Sequence, residues 1–237
     1  MDLAFIAEIV PRLLAGLPLT LQLAGMSILL GTGIALPLAL AQQLNKPLLG
    51  WPIRSYVAVF RGTPLLVQIF LIYYGLGQFR PFLQQIGLWG LFREPYWCAI
   101  LALTLNTTAY GSEIMRGALQ TVPRGQIEAA KALGMNRLQV LRLVVLPLAL
   151  RQALPGYSNE IILMIKGSSL ASIVTLMEVT GIAQGIISQT YRAIEVFVCA
   201  GAIYLALNFT VSRALAALEH RLSRHLRLAV DRAEINK

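Results

Sequence analysis

Residues 17–41 read LPLTLQLAGMSILLGTGIALPLALA, a run of 25 residues without a charged side chain. A helix needs about 20 consecutive apolar residues to cross the hydrocarbon core of a bilayer. This run is long enough to do so. The stretch therefore predicts a transmembrane helix, and the rest of the chain can be divided by the same measure.

Four further stretches meet that measure, at 56–77, 95–115, 154–173 and 196–218. Arg61 lies near the start of the first of these, and Glu160 and Lys166 lie inside the third. The pattern predicts an all-α integral membrane protein with about five transmembrane helices. We expect one domain over residues 1–237, with its membrane core at about 17–218.

The composition agrees with a membrane protein. Hydrophobic residues make up 57% of the chain and charged residues 13%, and the mean hydropathy is +0.66. Soluble domains carry about 25% charged residues. The net charge of +9 does not indicate nucleic-acid binding, because the cations lie between apolar runs and do not alternate with aromatic residues. Cys98 and Cys199 lie in separate apolar stretches, which predicts free thiols and no metal site.

The lysines and arginines predict the orientation in the membrane. Fifteen of them fall in three segments, 42–61, 116–151 and 213–237, and only four fall on the opposite side of the predicted spans. Cytoplasmic loops carry the excess of such residues in membrane proteins. We therefore expect an external N-terminus and a cytoplasmic C-terminus, with residues 219–237 forming a basic cytoplasmic tail. Its histidines, His220 and His225, are expected to be solvated or to lie near lipid headgroups.

The loop at 124–147, between the third and fourth spans, contains signals for two short helices. Good helix formers precede Gly134, which suits a left-handed helix end, and Asn136 can cap a second helix. Pro147 is expected to end that helix or to mark the return to the membrane. Small Ala129 and Ala130 beside Glu128 would allow close docking into a groove of a partner. An ordinary amphipathic interfacial helix explains the same pattern.

The spacing Glu128-Ala129-Ala130, three residues, Gly134, nine residues, Val144-Val145-Leu146-Pro147 resembles the EAA loop of ATP-binding cassette importer permeases. Val144 stands where isoleucine is usual. In that family the loop binds the ATPase subunit, so the resemblance implies an ATPase-coupling role for Glu128, Ala129, Ala130, Gly134 and Pro147.

Three other segments, 60–68, 106–114 and 154–160, are similar to signatures of the polar amino acid subfamily, and the resemblance covers about residues 15–220. It is closest to permeases for histidine, arginine-like amino acids and opines. Gly167 departs from the pattern, since relatives usually have a polar or acidic residue there. The resemblance implies a bacterial inner-membrane importer with a second permease subunit (identical or paralogous), two ATPase subunits that hold ATP and Mg²⁺, and an external solute-binding protein.

Glu160 is the first candidate for substrate contact. A carboxylate inside a span costs about 2.5 kcal/mol or more, so it should face protein, water or a cation. It can meet the ammonium or basic side chain of an amino acid, or it can pair with Lys166 or an arginine of another span. Asn159 and Lys166 lie nearly on one helix face. Lys166 can bind a substrate carboxylate or extend to the interface.

Thr63 and Gln68 are the candidates in the second span. Thr63 opens the span with Pro64 and can donate to a freed carbonyl, which favours a structural or gating role. Gln68 lies deeper and is expected to line a passage. Glu113 and Arg116 have the spacing of a helical ion pair.

Two other classes of protein are weaker interpretations. An intramembrane enzyme is disfavoured because the predicted spans contain no histidine and no catalytic cluster. An ATP-independent channel or secondary transporter stays as the alternative, although the docking loop and the odd number of spans argue against it. The chain lacks a phosphate-binding Gly-x-x-x-x-Gly-Lys motif, so any ATP must be hydrolysed by another subunit.

Overall fold

The computed structural model describes residues 2–43 and 47–235, with side chains described for all of these except 47, 49 and 222–235. This part of the chain is helical. The α-helices are α1 (Leu3–Leu14), α2 (Leu17–Gln43), α3 (Pro47–Gly62), α4 (Leu65–Gln78), α5 (Arg80–Gln85), α6 (Trp89–Phe92), α7 (Pro95–Gln120), α8 (Arg124–Ala132), α9 (Arg137–Val140), α10 (Leu146–Gly167), α11 (Val179–Thr190) and α12 (Ala193–Ile235).

Helix α7 is the centre of the bundle, and it packs against α2, α3, α4 and α10. The α2–α7 contact is close because a Cβ on Gly31 would lie 2.7 Å from the Thr107 side chain. Much of the buried face of α7 is polar, including Asn106, Thr107 and Ser112. Neighbouring helices, and not lipid, therefore form the environment of that face.

The five predicted spans all coincide with helices, but not every one of these helices is long and apolar enough by itself to cross a membrane. Length and hydropathy identify three continuous spans in the described residues: Leu3–Gln43, Arg137–Val174 and Ala193–Arg221. The predicted third span, α7, is long enough at 26 residues, but it is too polar to be among these three spans. Its polar residues are covered by the bundle, which explains how a less apolar helix can lie at its centre.

The predicted second span is not one straight helix. Helices α3 and α4 meet at a bend of 109° between Gly62 and Leu65, and only together are they long and apolar enough to cross a membrane. Pro64 lies at this break in extended backbone. The segment 56–77 therefore contains the end of one helix and nearly the whole of the next, and the break lies where Thr63 and Pro64 were predicted to open the span. Proline supplies no backbone N–H and disfavours a helical conformation in the residue before it, so Thr63-Pro64 interrupts the hydrogen-bond ladder.

Pro147 does not end the helix that precedes it. A π-helical turn at Leu141–Val145 links α9 to α10, and Pro147 falls in the first turn of α10. A wide turn fits this position because the proline has no N–H for the preceding turn. The expected return to the membrane begins earlier, so Arg137–Val174 forms one helical segment that ends in a 3₁₀ turn, Ser168–Val174.

Two of the apolar clusters hold different groups of helices together. One includes Leu23, Ile69, Leu103 and Met164 and joins α2, α4, α7 and α10. Another includes Ile9, Val179 and Val196 and holds α1, α11 and α12 together. Helix α12 continues to Ile235, but the charged side chains of the predicted basic tail at 219–237 lie, after Arg221, outside the described residues.

Candidate functional site

The break between α3 and α4 is held by the side chains of Thr63 and Gln68. The Thr63 hydroxyl donates to the carbonyl oxygen of Val59 at 2.8 Å. Gln68 Nε2 donates to the carbonyl oxygen of Phe60 at 2.7 Å, and to the carbonyl and hydroxyl oxygens of Thr63 at 3.0 and 2.9 Å. These bonds replace those that the helix loses at Pro64, as a broken helix in a membrane requires.

Gln68 also connects the break to the central helix. Asn106 Nδ2 on α7 donates to Gln68 Oε1 at 2.9 Å, and both residues are buried. Gln68 does not line the cavity described next. Its amide instead fixes the position of the broken helix against α7.

A cavity of about 250 Å³ lies beside this break, between α4, α7 and α10. It is lined by Thr63, Pro64, Leu65, Asn106, Tyr110, Glu160, Leu163 and Met164. Glu160 is 5% exposed, and its carboxylate has no hydrogen-bond donor and no ion-pair partner among the described residues. The structure thus brings Thr63 and Glu160 together at one cavity, with an unpaired carboxylate in its wall.

Arg61 lies near this site, and its ion pair is with Glu113. Its guanidinium carbon is 5.3 Å from the ring centroid of Tyr110, and Nη1 is 3.8 Å from a carboxylate oxygen of Glu113. Glu113 also accepts hydrogen bonds from Arg116 at 3.0 and 2.7 Å, so the predicted helical pair exists. Glu113 therefore pairs with both Arg61 and Arg116. Arg61 makes no ion pair with Glu160 within 4.0 Å.

Asn159 and Lys166 do not share the cavity with Glu160. Both side chains are exposed, and Lys166 lines a different cavity with Ser169 and Tyr204. Glu160 and Lys166 form no ion pair. Substrate contact by Asn159 or Lys166 stays a prediction.

The turn of the loop between α7 and α10 is closed by Gly134. This residue has φ +79°, in the left-handed region that glycine tolerates. The N–H of Met135 donates to the carbonyl oxygen of Ala130 at 3.2 Å, and that of Gly134 donates to Lys131 at 2.9 Å. The two bonds form a Schellman motif, which confirms the predicted helix end.

Helix α9 begins with the predicted Asn136 cap. Asn136 Oδ1 accepts from the N–H of Gln139 at 2.9 Å, and Gln139 Oε1 accepts from the N–H of Asn136 at 2.8 Å. On α8, Glu128 and Ala129 are exposed and Ala130 is buried. Two helices with local caps therefore lie at the end of the bundle, and Glu128 and Ala129 are on their exposed surface.

Sequence reasoning did not single out several residues that the structure makes important. Asn106, Tyr110 and Met164 complete the Glu160 cavity, and they come from two helices far apart in the sequence. Glu178 is fully buried and accepts hydrogen bonds from three segments. A glutamate directly before the helix-forming segment 179–190 was the available signal for Glu178.

Membrane-length helices, one broken helix beside a cavity with a buried carboxylate, and a capped helical pair at one end are typical of a transport permease. Transporters place their sites at such discontinuous helices. The chain belongs to the family of binding-protein-dependent transport system inner membrane components, which it matches over residues 28–224.

Relatives in this family are similar over nearly their whole length. The chain is 55% identical to the octopine transport system permease protein OccM of Rhizobium meliloti, covering 98% of this chain and 96% of that protein. It is 52% identical to the nopaline transport system permease protein NocM of Agrobacterium fabrum (97% and 95% covered). It is 42% identical to the arginine ABC transporter permease protein ArtM of Escherichia coli K12 (90% and 96% covered).

Solved structures agree on the architecture. A crystal structure of an amino acid ABC transporter with histidines matches with a TM-score of 0.83 and 35% identity, covering 93% of this chain and 99% of that one. The MetNI methionine ABC transporter in an inward-facing conformation matches with a TM-score of 0.73 at 21% identity, which shows the fold alone (91% and 98% covered).

The chain is therefore a multi-pass inner-membrane permease subunit of an ATP-binding cassette importer, and it is not an enzyme. ATP is used by a partner ATPase, and the permease itself binds no cofactor. A solute-binding protein is the other partner that this family implies. The comparisons give no support to an ATP-independent channel or secondary transporter.

Proposed function

We propose that this permease passes basic amino acids or opines, and that Glu160 contacts a cationic group of the substrate. The observation that carries the proposal is the unpaired Glu160 carboxylate in the wall of the 250 Å³ cavity. A buried ionised carboxylate is unfavourable unless a cation or hydrogen-bond donors compensate it. An ammonium or guanidinium group in the cavity would supply that compensation.

The names of the relatives support the same substrate class. Proteins 42–55% identical to this chain are named for octopine, nopaline and arginine transport. The lining is otherwise mixed, with the amide of Asn106, the hydroxyls of Thr63 and Tyr110, and apolar Leu163. Such a lining suits a polar molecule with an aliphatic portion.

The proposed assembly contains two permease subunits, identical or paralogous, with two ATPase subunits docked on α8 and α9. The exposed Glu128 and Ala129 form the docking surface, and the Schellman turn at Gly134 sets the angle between the two helices. An external binding protein delivers substrate from the side of the N-terminus. The distribution of fifteen lysines and arginines against four supports a cytoplasmic C-terminus.

Glu160→Gln in the intact complex tests the substrate role. The amide keeps the size of the side chain but removes its charge, and a charge-assisted contact contributes about 1.5–3 kcal/mol. We expect uptake of arginine into vesicles to weaken about ten- to a hundredfold. Comparison with histidine and glutamine separates contact with the side chain, where glutamine suffers less, from contact with the α-ammonium, where all three suffer equally.

Glu94→Gln is the matched control, because Glu94 is an exposed glutamate at the start of α7, away from the cavity. It should leave uptake unchanged. Normal uptake of all three amino acids by Glu160→Gln would make Glu160 a structural residue. Loss of the assembled complex would indicate instead that its charge holds helices together.

A further inference from the structure

A second cavity, of about 390 Å³, lies between α2, α3 and α7. Gln42, near the end of α2, and Gln120, the last residue of α7, form part of its wall. Helix α8 of the proposed docking surface begins four residues after Gln120. The cavity therefore lies at the end of the bundle that carries α8 and α9, and it shares no lining residue with the Glu160 cavity.

This second cavity has an excess of positive charge. Arg54, Arg61 and Arg116 line it together with a single acid, Glu113. Glu113 accepts both of its hydrogen bonds from Arg116 and lies 3.8 Å from Arg61. Among the described residues no carboxylate lies within 4.0 Å of Arg54. The lining therefore has an excess of two positive charges, in a cavity bounded by three helices.

Exposed apolar residues precede the arginines of this cavity on α3. Trp51 is 74% exposed and Leu48 is 87% exposed, and they lie about one and two turns before Arg54. Tryptophan side chains settle at the level of the lipid headgroups in membrane proteins. Trp51 at that level would bring Arg54, about one turn further along the helix, close to the lipid phosphates.

We propose that this cavity binds the phosphate-bearing headgroup of an anionic phospholipid. Guanidinium groups suit phosphate because their planar N–H groups can donate two parallel hydrogen bonds. Basic pockets between transmembrane helices on the cytoplasmic side bind anionic headgroups in this way, and the volume lies within the range of about 300–1,000 Å³ typical of ligand pockets. The inference rests on the proposed orientation only for the choice of the cytoplasmic leaflet.

The test measures lipid binding, which does not require transport, so its failure is separate from failure of the proposed function. The intact complex is placed in phosphatidylcholine nanodiscs with and without phosphatidylglycerol. Retained phosphatidylglycerol is measured by native mass spectrometry, and thermal stability is measured in parallel. We expect Arg54→Gln to lower the apparent affinity for phosphatidylglycerol about fivefold, the effect of about 1 kcal/mol per surface cation.

Arg151→Gln is the matched control. Arg151 is an exposed arginine of α10 outside the cavity, so the variant loses the same charge at another place. Arg151→Gln should bind phosphatidylglycerol with the affinity of the unmodified chain. Arg54→Lys keeps the charge without the planar fork, and it should give an intermediate affinity even where the glutamine variant assembles poorly.

Four results would overturn the proposal. Unchanged affinity in Arg54→Gln, or equal losses in Arg54→Gln and Arg151→Gln, would leave only diffuse attraction to the membrane. Soluble sn-glycerol 3-phosphate could raise the thermal stability in phosphatidylcholine nanodiscs as much as phosphatidylglycerol does. That result would assign the cavity to a free phosphate compound. Displacement of phosphatidylglycerol by arginine would assign the cavity to the substrate path.

Discussion

Glu178 offers the sharpest test of how this bundle is held together. The residue is fully buried and caps α11. Its Oε1 accepts from the N–H of Gly181 at 2.8 Å, and its Oε2 accepts from the N–H of Thr180 at 3.0 Å and from the Tyr204 hydroxyl at 2.6 Å. The Thr20 hydroxyl of α2 lies 3.5 Å from Oε2. One carboxylate thus joins α2, α11 and α12.

Glu178→Gln keeps the shape of the side chain but leaves it with one acceptor oxygen and one donor nitrogen. Whichever way the amide turns, the N–H of either Thr180 or Gly181 faces an N–H₂ group. A buried donor without an acceptor costs about 1–3 kcal/mol. For a chain of this size 1 kcal/mol moves the melting temperature by about 2–4 °C, so a cost of about 2 kcal/mol lowers Tm by about 4–8 °C.

The effect should depend on pH. Burial raises the pKa of Glu178 above its ordinary value of 4.5, although hydrogen bonds from Tyr204, Thr180, Gly181 and Thr20 oppose the rise. A folded-state pKa raised in this way gives stability that is complete below the unfolded pKa and declines as the pH rises through the folded pKa. The glutamine does not titrate there. The difference in Tm between the two proteins should therefore be largest near pH 5 and narrow toward pH 8.

The assay is thermal unfolding of the detergent-purified chain, followed by helix circular dichroism from pH 5 to pH 8. Glu94→Gln is the control, because Glu94 also precedes a helix but is exposed and makes no capping hydrogen bond. It should shift Tm by less than about 2 °C, since exposed ion pairs contribute little. A Glu178→Gln protein as stable as the unmodified chain at pH 5 would refute the reasoning.

Three further predictions concern other parts of the chain. Gly134→Val should weaken ATPase retention and uptake but leave membrane insertion intact, because φ +79° costs a β-branched residue about 1–2 kcal/mol. Gly134→Asn should keep ATPase retention and uptake, since asparagine tolerates this backbone region. Normal retention and uptake in the valine variant would contradict the docking role. Gln68→Leu removes the hydrogen-bond donors to Phe60 and Thr63 and should lower Tm by several degrees. Gln78→Leu, at an exposed position, should leave Tm unchanged. Equal Tm values for the two variants would contradict the role of Gln68 in holding the break between α3 and α4. A cysteine at exposed Gln84 should react with a membrane-impermeant maleimide in intact cells, against a low background because Cys98 and Cys199 are buried; reaction only in inverted vesicles would contradict the proposed orientation.

Features with local causes could be predicted from the sequence. Gly134 closes a helix because only its own backbone must adopt a positive φ, and Asn136 caps α9 through a bond to a residue three positions away. Long apolar runs likewise predict membrane helices without knowledge of their neighbours. The Glu113–Arg116 pair belongs to the same group, since both partners lie on one helix.

Features that depend on packing were predicted incompletely. Thr63 and Pro64 were predicted to open the second span, but the 109° bend that lies there is supported by Gln68, which donates to freed backbone carbonyls and is held in turn by Asn106 of α7. Glu160 could be recognised as a costly charge, yet its candidate partner Lys166 is directed to a different cavity. Helical spacing gives the face on which a residue lies, and it does not specify which helix covers that face.

From the sequence alone it follows that this protein lies in a membrane, where its long apolar helices lie and how the loop between α7 and α10 turns. Packing between helices is needed to bring Thr63, Asn106 and Glu160 to one cavity, and to let Glu178 join α2, α11 and α12. The difference arises from the range of the forces. Hydropathy and helix capping act within a few residues of the chain, whereas a cavity and a buried polar network exist only after distant helices have packed together.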